Sequence, residues 1–174
     1  MSQSKIRGSN PVFLSNEDFK FVIEKTNLFA LDLLVMNHGG QVLLGKRKNA
    51  PAKGFWFVPG GRVYLNESLK SAFERILVNE TAIPLTNVKH ISLYGLYDHL
   101  YENSSLEVSS LGTHYIVAAY KICIVGAPKL QSDGQHFDLK FFDVADLLAS
   151  NDVHQFTKNY FTEFPDNKFP RYFS

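Results

Sequence analysis

Gly60-Gly61-Arg62-Val63-Tyr64-Leu65-Asn66-Glu67, followed at once by a helical stretch that runs to Glu80 and Thr81, decides how this chain is read. Two adjacent glycines permit unusual backbone dihedrals and let a ligand approach the main chain closely. Glu67 opens the next element, predicted as a helix over Glu67–Thr81, where a negative charge suits the helix dipole. Pro84 stops that helix, because the residue before a proline disfavours helical geometry. At about 100° per residue, Leu69, Phe73, Ile76, Leu77 and Glu80 share one stripe narrower than half a turn. Glu80 therefore sits within an apolar stripe. A carboxylate beside a core face is costly unless it is paired or binds a cation. The alternative is that Glu80, near the helix end, reaches solvent.

Outward from this stretch the pattern is strands mixed with a few helices. Ser15 with Asp18 three residues later marks a helix start, with Phe19, Val22 and Ile23 on one face. Leu28–Asn37 and Gln41–Lys46 flank His38-Gly39-Gly40 and read as a hairpin. Lys48–Gly54 is a loop and Phe55–Val58 a short strand. Val88–Tyr97 and Thr113–Val125 are strands, separated by the long polar loop Tyr101–Gly112. A second loop spans about Gly126 to Gln135, and Leu139–Phe142 is the last strand. Asp143 caps a helix over Ala145–Ala149, and another helix follows Asp152. The fold class is α+β (mixed α/β). The expected organisation is a flexible N-terminal extension over 1–11 and a single domain over 12–174.

Composition excludes several classes of function. A length of 174 residues corresponds to about one domain. A hydrophobic fraction of 45% and an aromatic fraction of 14% support an ordinary core and argue against a disordered scaffold. The net charge of +1 supplies no strong field for nucleic acid or an anionic membrane. The single Cys123 rules out an internal disulfide framework and a cysteine-rich zinc site. The polar start, Met1 to Pro11, is not followed by the apolar core of a signal peptide. Asp32 and Lys121 interrupt the two most apolar stretches, so neither reaches the ~20 apolar residues of a membrane helix. The expectation is a cytoplasmic protein without nucleic-acid or membrane partners.

The spacing Gly61, five residues, Glu67, seven residues, Arg75, four residues, Glu80 resembles the Nudix box, a loop–helix motif that positions Mg²⁺ on a nucleoside diphosphate. The usual box carries Glu at positions 76, 79 and 80 and Gly at 82; here these are Ile76, Asn79, Glu80 and Ala82. The reduced box resembles that of the GDP-mannose mannosyl hydrolases, over about Phe13 to Ala149. The resemblance is carried by Leu43-Leu44-Gly45-Lys46-Arg47, by Gly54-Phe55-Trp56-Phe57-Val58-Pro59-Gly60-Gly61-Arg62-Val63 and by Ala72-Phe73-Glu74-Arg75. Thr113-His114-Tyr115, Gln135-His136 and Leu147-Leu148-Ala149-Ser150 also fit. It implies a Nudix fold, a mixed β-sheet sandwiched by helices.

What the resemblance implies for function is Mg²⁺-dependent hydrolysis of GDP-mannose, or a related GDP-hexose, at the sugar C1, giving GDP and free hexose. Its metal ligands would be the Gly60 carbonyl, the Glu80 carboxylate and the Gln135 side-chain oxygen, with Mn²⁺ able to stand in for Mg²⁺. Arg62 would act on the departing phosphate, and Arg47 and Tyr115 would contact the diphosphate. Asp32 and His99 would hold the sugar. By its place in the Gln135-His136 match, His136 would be the general base, and an ordinary pKa of about 6.5 suits proton removal from water. Arg75 with Glu67 reads as a structural ion pair. The resemblance also implies a homodimer. Two alternatives stay open: a pyrophosphohydrolase giving GMP and sugar 1-phosphate, and a binding module without turnover.

Overall fold

The computed structural model describes residues 11–106, 111–131 and 136–162, except for the side chains of 136 and 137. Helix α1 (Asn16–Lys25) starts where its cap predicts: the Ser15 hydroxyl accepts from the Asp18 amide, and Phe19 and Ile23 are buried beneath. The strands are β1 (Leu28–Met36), β2 (Val42–Arg47), β3 (Trp56–Phe57), β4 (Gly60–Arg62), β5 (Val88–Tyr101), β6 (Thr113–Ile124) and β7 (His136–Phe142). They form one seven-stranded sheet with the path β3-β2-β1-β6-β5; β4 pairs with β1 and β7 with β2. Only the β1–β6 ladder is parallel among the described pairs, which makes the sheet mixed.

Helices cover both faces. Leu31, Leu33 and Val35 pack with Ala72, Phe73, Ile76 and Leu77 of helix α2 (Leu69–Thr81). Ala30 and Leu34 point to the opposite face. There they meet a cluster holding Leu147 of α3 (Val144–Ala149) and, around α4 (Gln155–Asn159), Val153 and Tyr160. Strand β1 is therefore buried on both sides, and Asp32 is the one charged residue within it. The C-terminal segment is tied to β3 by the Trp56 amide on the Asp152 carbonyl at 2.8 Å and the His154 amide on the Trp56 carbonyl at 3.1 Å.

Three boundaries differ from expectation for identifiable reasons. Helix α2 begins at Leu69, because the Ser68 hydroxyl accepts the Ser71 amide and takes the cap. Glu67 thus precedes the helix, and Leu69 is 47% exposed. Strand β5 runs on to Tyr101, paired with β6 as far as Thr113. Strand β7 begins at His136, three residues earlier than its apolar run.

Helix α2 ends on Ala82 with φ 59° and ψ 15°, the left-handed geometry in which a Cβ is unfavourable. Ala82→Gly should stabilise the fold by about 0.5–1 kcal/mol, less the entropy of a freer unfolded chain. Urea unfolding of the two proteins checks this.

Candidate active site

A cleft of about 230 Å³ opens beside the central strands. Asp32 on β1, Arg47 at the end of β2, Gly60 and Arg62 on β4, Glu80 on α2, His99 on β5 and Tyr115 on β6 all line it. Seven residues singled out from the sequence are thereby brought to one place. Gln135 lies outside the described residues. The His136 backbone sits at the start of β7, in register with Arg47, and its side chain lies outside the described atoms.

The glycine turn and α2 meet directly. A Cβ on Gly61 would lie 3.4 Å from Ile76 Cγ1, so that side chain is packed against the turn. Ile76 is 1% exposed and belongs to the core. Asn79 faces solvent, whereas Glu80 is buried and lines the cleft. Of the three positions that carry glutamate in the usual box, one presents a carboxylate to the cleft. Among the described residues no group of three or more His, Cys, Asp or Glu could hold a metal ion. The donors available are hard oxygens, the Glu80 carboxylate and the nearby Gly60 carbonyl. That set fits Mg²⁺, which keeps several ligand positions for water and phosphate oxygens.

Glu67 and Arg75 form a framework behind the turn. Arg75 Nε and Nη2 donate to Glu67 Oε1 and Oε2 at 2.6 and 2.7 Å. Glu67 Oε2 also accepts the Tyr64 amide at 3.0 Å, and Arg75 Nη2 reaches the Arg62 carbonyl at 2.7 Å. These bonds clamp 62–67 onto α2, as expected of a structural ion pair. The Arg75 hydrogen bonds, more than its charge, hold the Glu67 carboxyl below its ordinary range. Arg62 is held from the other side, its guanidinium 4.0 Å from the Phe19 ring centroid. Arg47 is anchored by Nε donating to the Pro51 carbonyl at 2.8 Å. Two arginines thus enter the cleft with supported side chains, which makes this part of it cationic.

The far wall is aromatic and buried. Asp32 is 6% exposed, and burial pushes its carboxyl up to about 7 even though the Tyr160 hydrogen bond and the Arg47 charge act the other way. Tyr160 Oη donates to Asp32 Oδ2 at 2.6 Å and also lies 3.1 Å from His99 Nε2. The His99 ring stacks on Phe156 with centroids 4.3 Å apart. Burial, with His154 nearby, holds His99 down at about 3, and burial, with Arg47 nearby, holds His154 at about 4. Burial also raises the Tyr115 hydroxyl, with Arg62 and Arg47 opposing. Sequence reasoning missed Tyr160 and Tyr101, which also lines the cleft. A tyrosine at the end of a short C-terminal helix carries no local signal that a carboxylate 128 positions away needs it.

The NUDIX domain family model matches residues 27–164. The chain is 33% identical over 130 residues to the low-salt glycan biosynthesis protein Agl8 of Haloferax volcanii, covering 75% of this chain and 80% of that protein. It is 31% identical over 113 residues to the ADP-ribose pyrophosphatase of Methanocaldococcus jannaschii, covering 65% of this chain and 60% of that protein. The crystal structure of a MutT protein from Methanosarcina mazei Go1 superposes with a TM-score of 0.62 at 22% identity, over 80% of this chain and 94% of that one. The NUDIX domain of Shewanella oneidensis NrtR, solved with ADP ribose, gives 0.58 at 21% identity, over 80% and 84% of the two chains. At such identities these two likenesses concern the fold. No helix of the described residues is long and apolar enough to cross a membrane. With the glycine turn, the Glu67–Arg75 clamp and Glu80 in place on a mixed sheet flanked by helices, the chain belongs to the NUDIX domain family.

Proposed function

We propose that this protein hydrolyses a nucleotide sugar of the GDP-mannose type at the sugar C1, with Mg²⁺, releasing nucleoside diphosphate and free hexose. One observation carries this reading: a single box carboxylate, Glu80, faces a cleft that also holds the buried Asp32 and His99. One carboxylate suits one metal ion rather than several, and the wall around Asp32 and His99 suits a ligand with hydroxyls. The glycan-biosynthesis name of the 33% identical relative points the same way. Glu80, the Gly60 carbonyl and Gln135 would hold Mg²⁺, which when bound would neutralise the diphosphate charge. Arg47, Arg62 and Tyr115 contact that diphosphate; Asp32 and His99 orient the sugar. Water oxygen attacks C1 while His136 takes the water proton. The C1–O bond breaks, and its electron pair leaves on the diphosphate, which needs no carboxylic acid to depart. A homodimer goes with this reading, and light scattering on the eluted protein measures it.

A second reading has its own support. The 31% identical relative from Methanocaldococcus jannaschii is a pyrophosphatase by name. Cleavage between the phosphates would give GMP and sugar 1-phosphate. ³¹P NMR of the protein with GDP-mannose and Mg²⁺ separates the two. GDP without sugar phosphate is the expected product; GMP with mannose 1-phosphate would establish attack at phosphorus, and no turnover would favour a binding role. On the expected path, His136→Ala should lower kcat by about 10²–10⁴-fold and leave the Kd for GDP nearly unchanged. Glu80→Gln should raise the Mg²⁺ concentration needed for half activity. An unchanged requirement would move the metal elsewhere.

A further inference from the structure

Tyr160 brings one hydroxyl to two groups that lie 128 and 61 positions away in the chain. Its ring is 1% exposed and meets Tyr97 edge-to-face, with centroids 4.6 Å apart. The oxygen is therefore held by packing, and its bonding can be counted. A phenol has one proton to donate and lone pairs to accept with. The 2.6 Å bond runs from the phenol to Asp32 Oδ2 and so uses the proton. The 3.1 Å contact must then run from His99 Nε2–H to the phenol oxygen. His99 is neutral at working pH, since its burial opposes the imidazolium form. A neutral ring with hydrogen on Nε2 leaves Nδ1 as an acceptor. Asp32 keeps Oδ1, which lies against Gly60.

We propose that Tyr160 is a positioning residue that locks Asp32 and His99 into one acceptor pair and so selects a ligand that donates hydroxyl protons, a fully hydroxylated sugar over a deoxygenated one. The inference rests on the nucleotide-sugar reading for its ligand, and on the Tyr160 hydrogen bonds together with the burial of His99 for its tautomer. Tyr160 touches neither the diphosphate arginines nor Glu80 among its hydrogen bonds, so it acts on the sugar end through its two partners.

The test is ring NMR of protein labelled with ¹⁵N-histidine at pH 9, where the Asp32 carboxyl is ionised, His99 being assigned by its absence in His99→Gln. The wild-type ring should carry its proton on Nε2. Tyr160→Phe keeps the ring and removes the oxygen; His99 should then lose the single tautomer. In the same variant kcat/KM for GDP-mannose should fall by about tenfold or more, with the Kd for GDP within about twofold. Thr157→Val, in the same buried turn, removes a hydroxyl with no hydrogen-bond partner among the described residues and should move neither readout. A proton on Nδ1 in the wild type would overturn the proposal. So would a Tyr160→Phe ring spectrum identical to wild type, or a Thr157→Val effect as large as that of Tyr160→Phe. Should GDP-mannose and related nucleotide sugars all go uncleaved by the wild type, the functional reading falls, and the ring spectra still decide the role of Tyr160. Should Tyr160→Phe not fold, the wild-type tautomer decides it.

Discussion

Gly60→Ala is expected to remove at least about 99% of kcat/KM, close to 3 kcal/mol of transition-state stabilisation at ~1.4 kcal/mol per tenfold. Gly60 pairs with Asp32 across the β1–β4 ladder. A methyl there would collide with Asp32 Oδ1 and sit 3.0 Å from the Leu31 carbonyl oxygen. The clash has two outlets. Asp32 can turn away, but its other oxygen is held by Tyr160 at 2.6 Å. Alternatively β4 can retreat from β1, carrying Arg62 and the glycine turn with it. Either outlet disorders the cleft, and overpacking of this kind costs about 1–3 kcal/mol. For a chain of this size that lowers Tm by a few degrees. The double variant Gly60→Ala/Asp32→Ala should regain most of the stability and none of the activity. Calorimetry and turnover of both variants check the account; wild-type activity in Gly60→Ala would show that the placement of Asp32 is immaterial.

Glu67→Gln is expected to destabilise the fold by about 3 kcal/mol at neutral pH. The Glu67 side chain is 1% exposed and its partner Arg75 is 25% exposed, so the loss belongs at the lower end of the range for broken buried pairs. Glutamine keeps one acceptor and turns an amide nitrogen toward the guanidinium. The pH dependence follows from the direction of the carboxyl's shift. Its folded pKa lies below the ordinary value of 4.5, chiefly through the Arg75 hydrogen bonds. The stabilisation is therefore fully present above about 4.5 and is lost as pH falls through the folded value. Urea titrations of wild type and variant should differ most at pH 7 and converge as pH falls through the lowered folded value of the carboxyl. A gap that does not narrow would mean that packing, not charge, makes the contribution. Activity should fall as well, because Arg75 also holds the carbonyl of Arg62.

Much of this site was legible in the chain because it is local. The 3.6-residue period of α2 places Glu80 with Phe73, Ile76 and Leu77, and all four are buried there. Ser15 caps α1, and the turn at His38-Gly39-Gly40 joins β1 to β2, because caps and tight turns depend on neighbours a few residues away. The α2 start was misplaced by two residues at the same scale, since two adjacent candidates, Glu67 and Ser68, compete for the helix entrance and the hydroxyl reaches the amide. Asp32 shows the other limit. Its interruption of an apolar run marks it as costly, but nothing near it in sequence says what offsets the cost. That is settled by β1 lying parallel to β6 with both faces covered, and by a C-terminal turn that returns across the sheet. By itself the sequence determined the box, the helix face that carries Glu80 and the mixed class of the fold. Tertiary structure alone decided that Asp32, Tyr160 and His99 meet, because that contact depends on packing between segments that no local period or spacing connects.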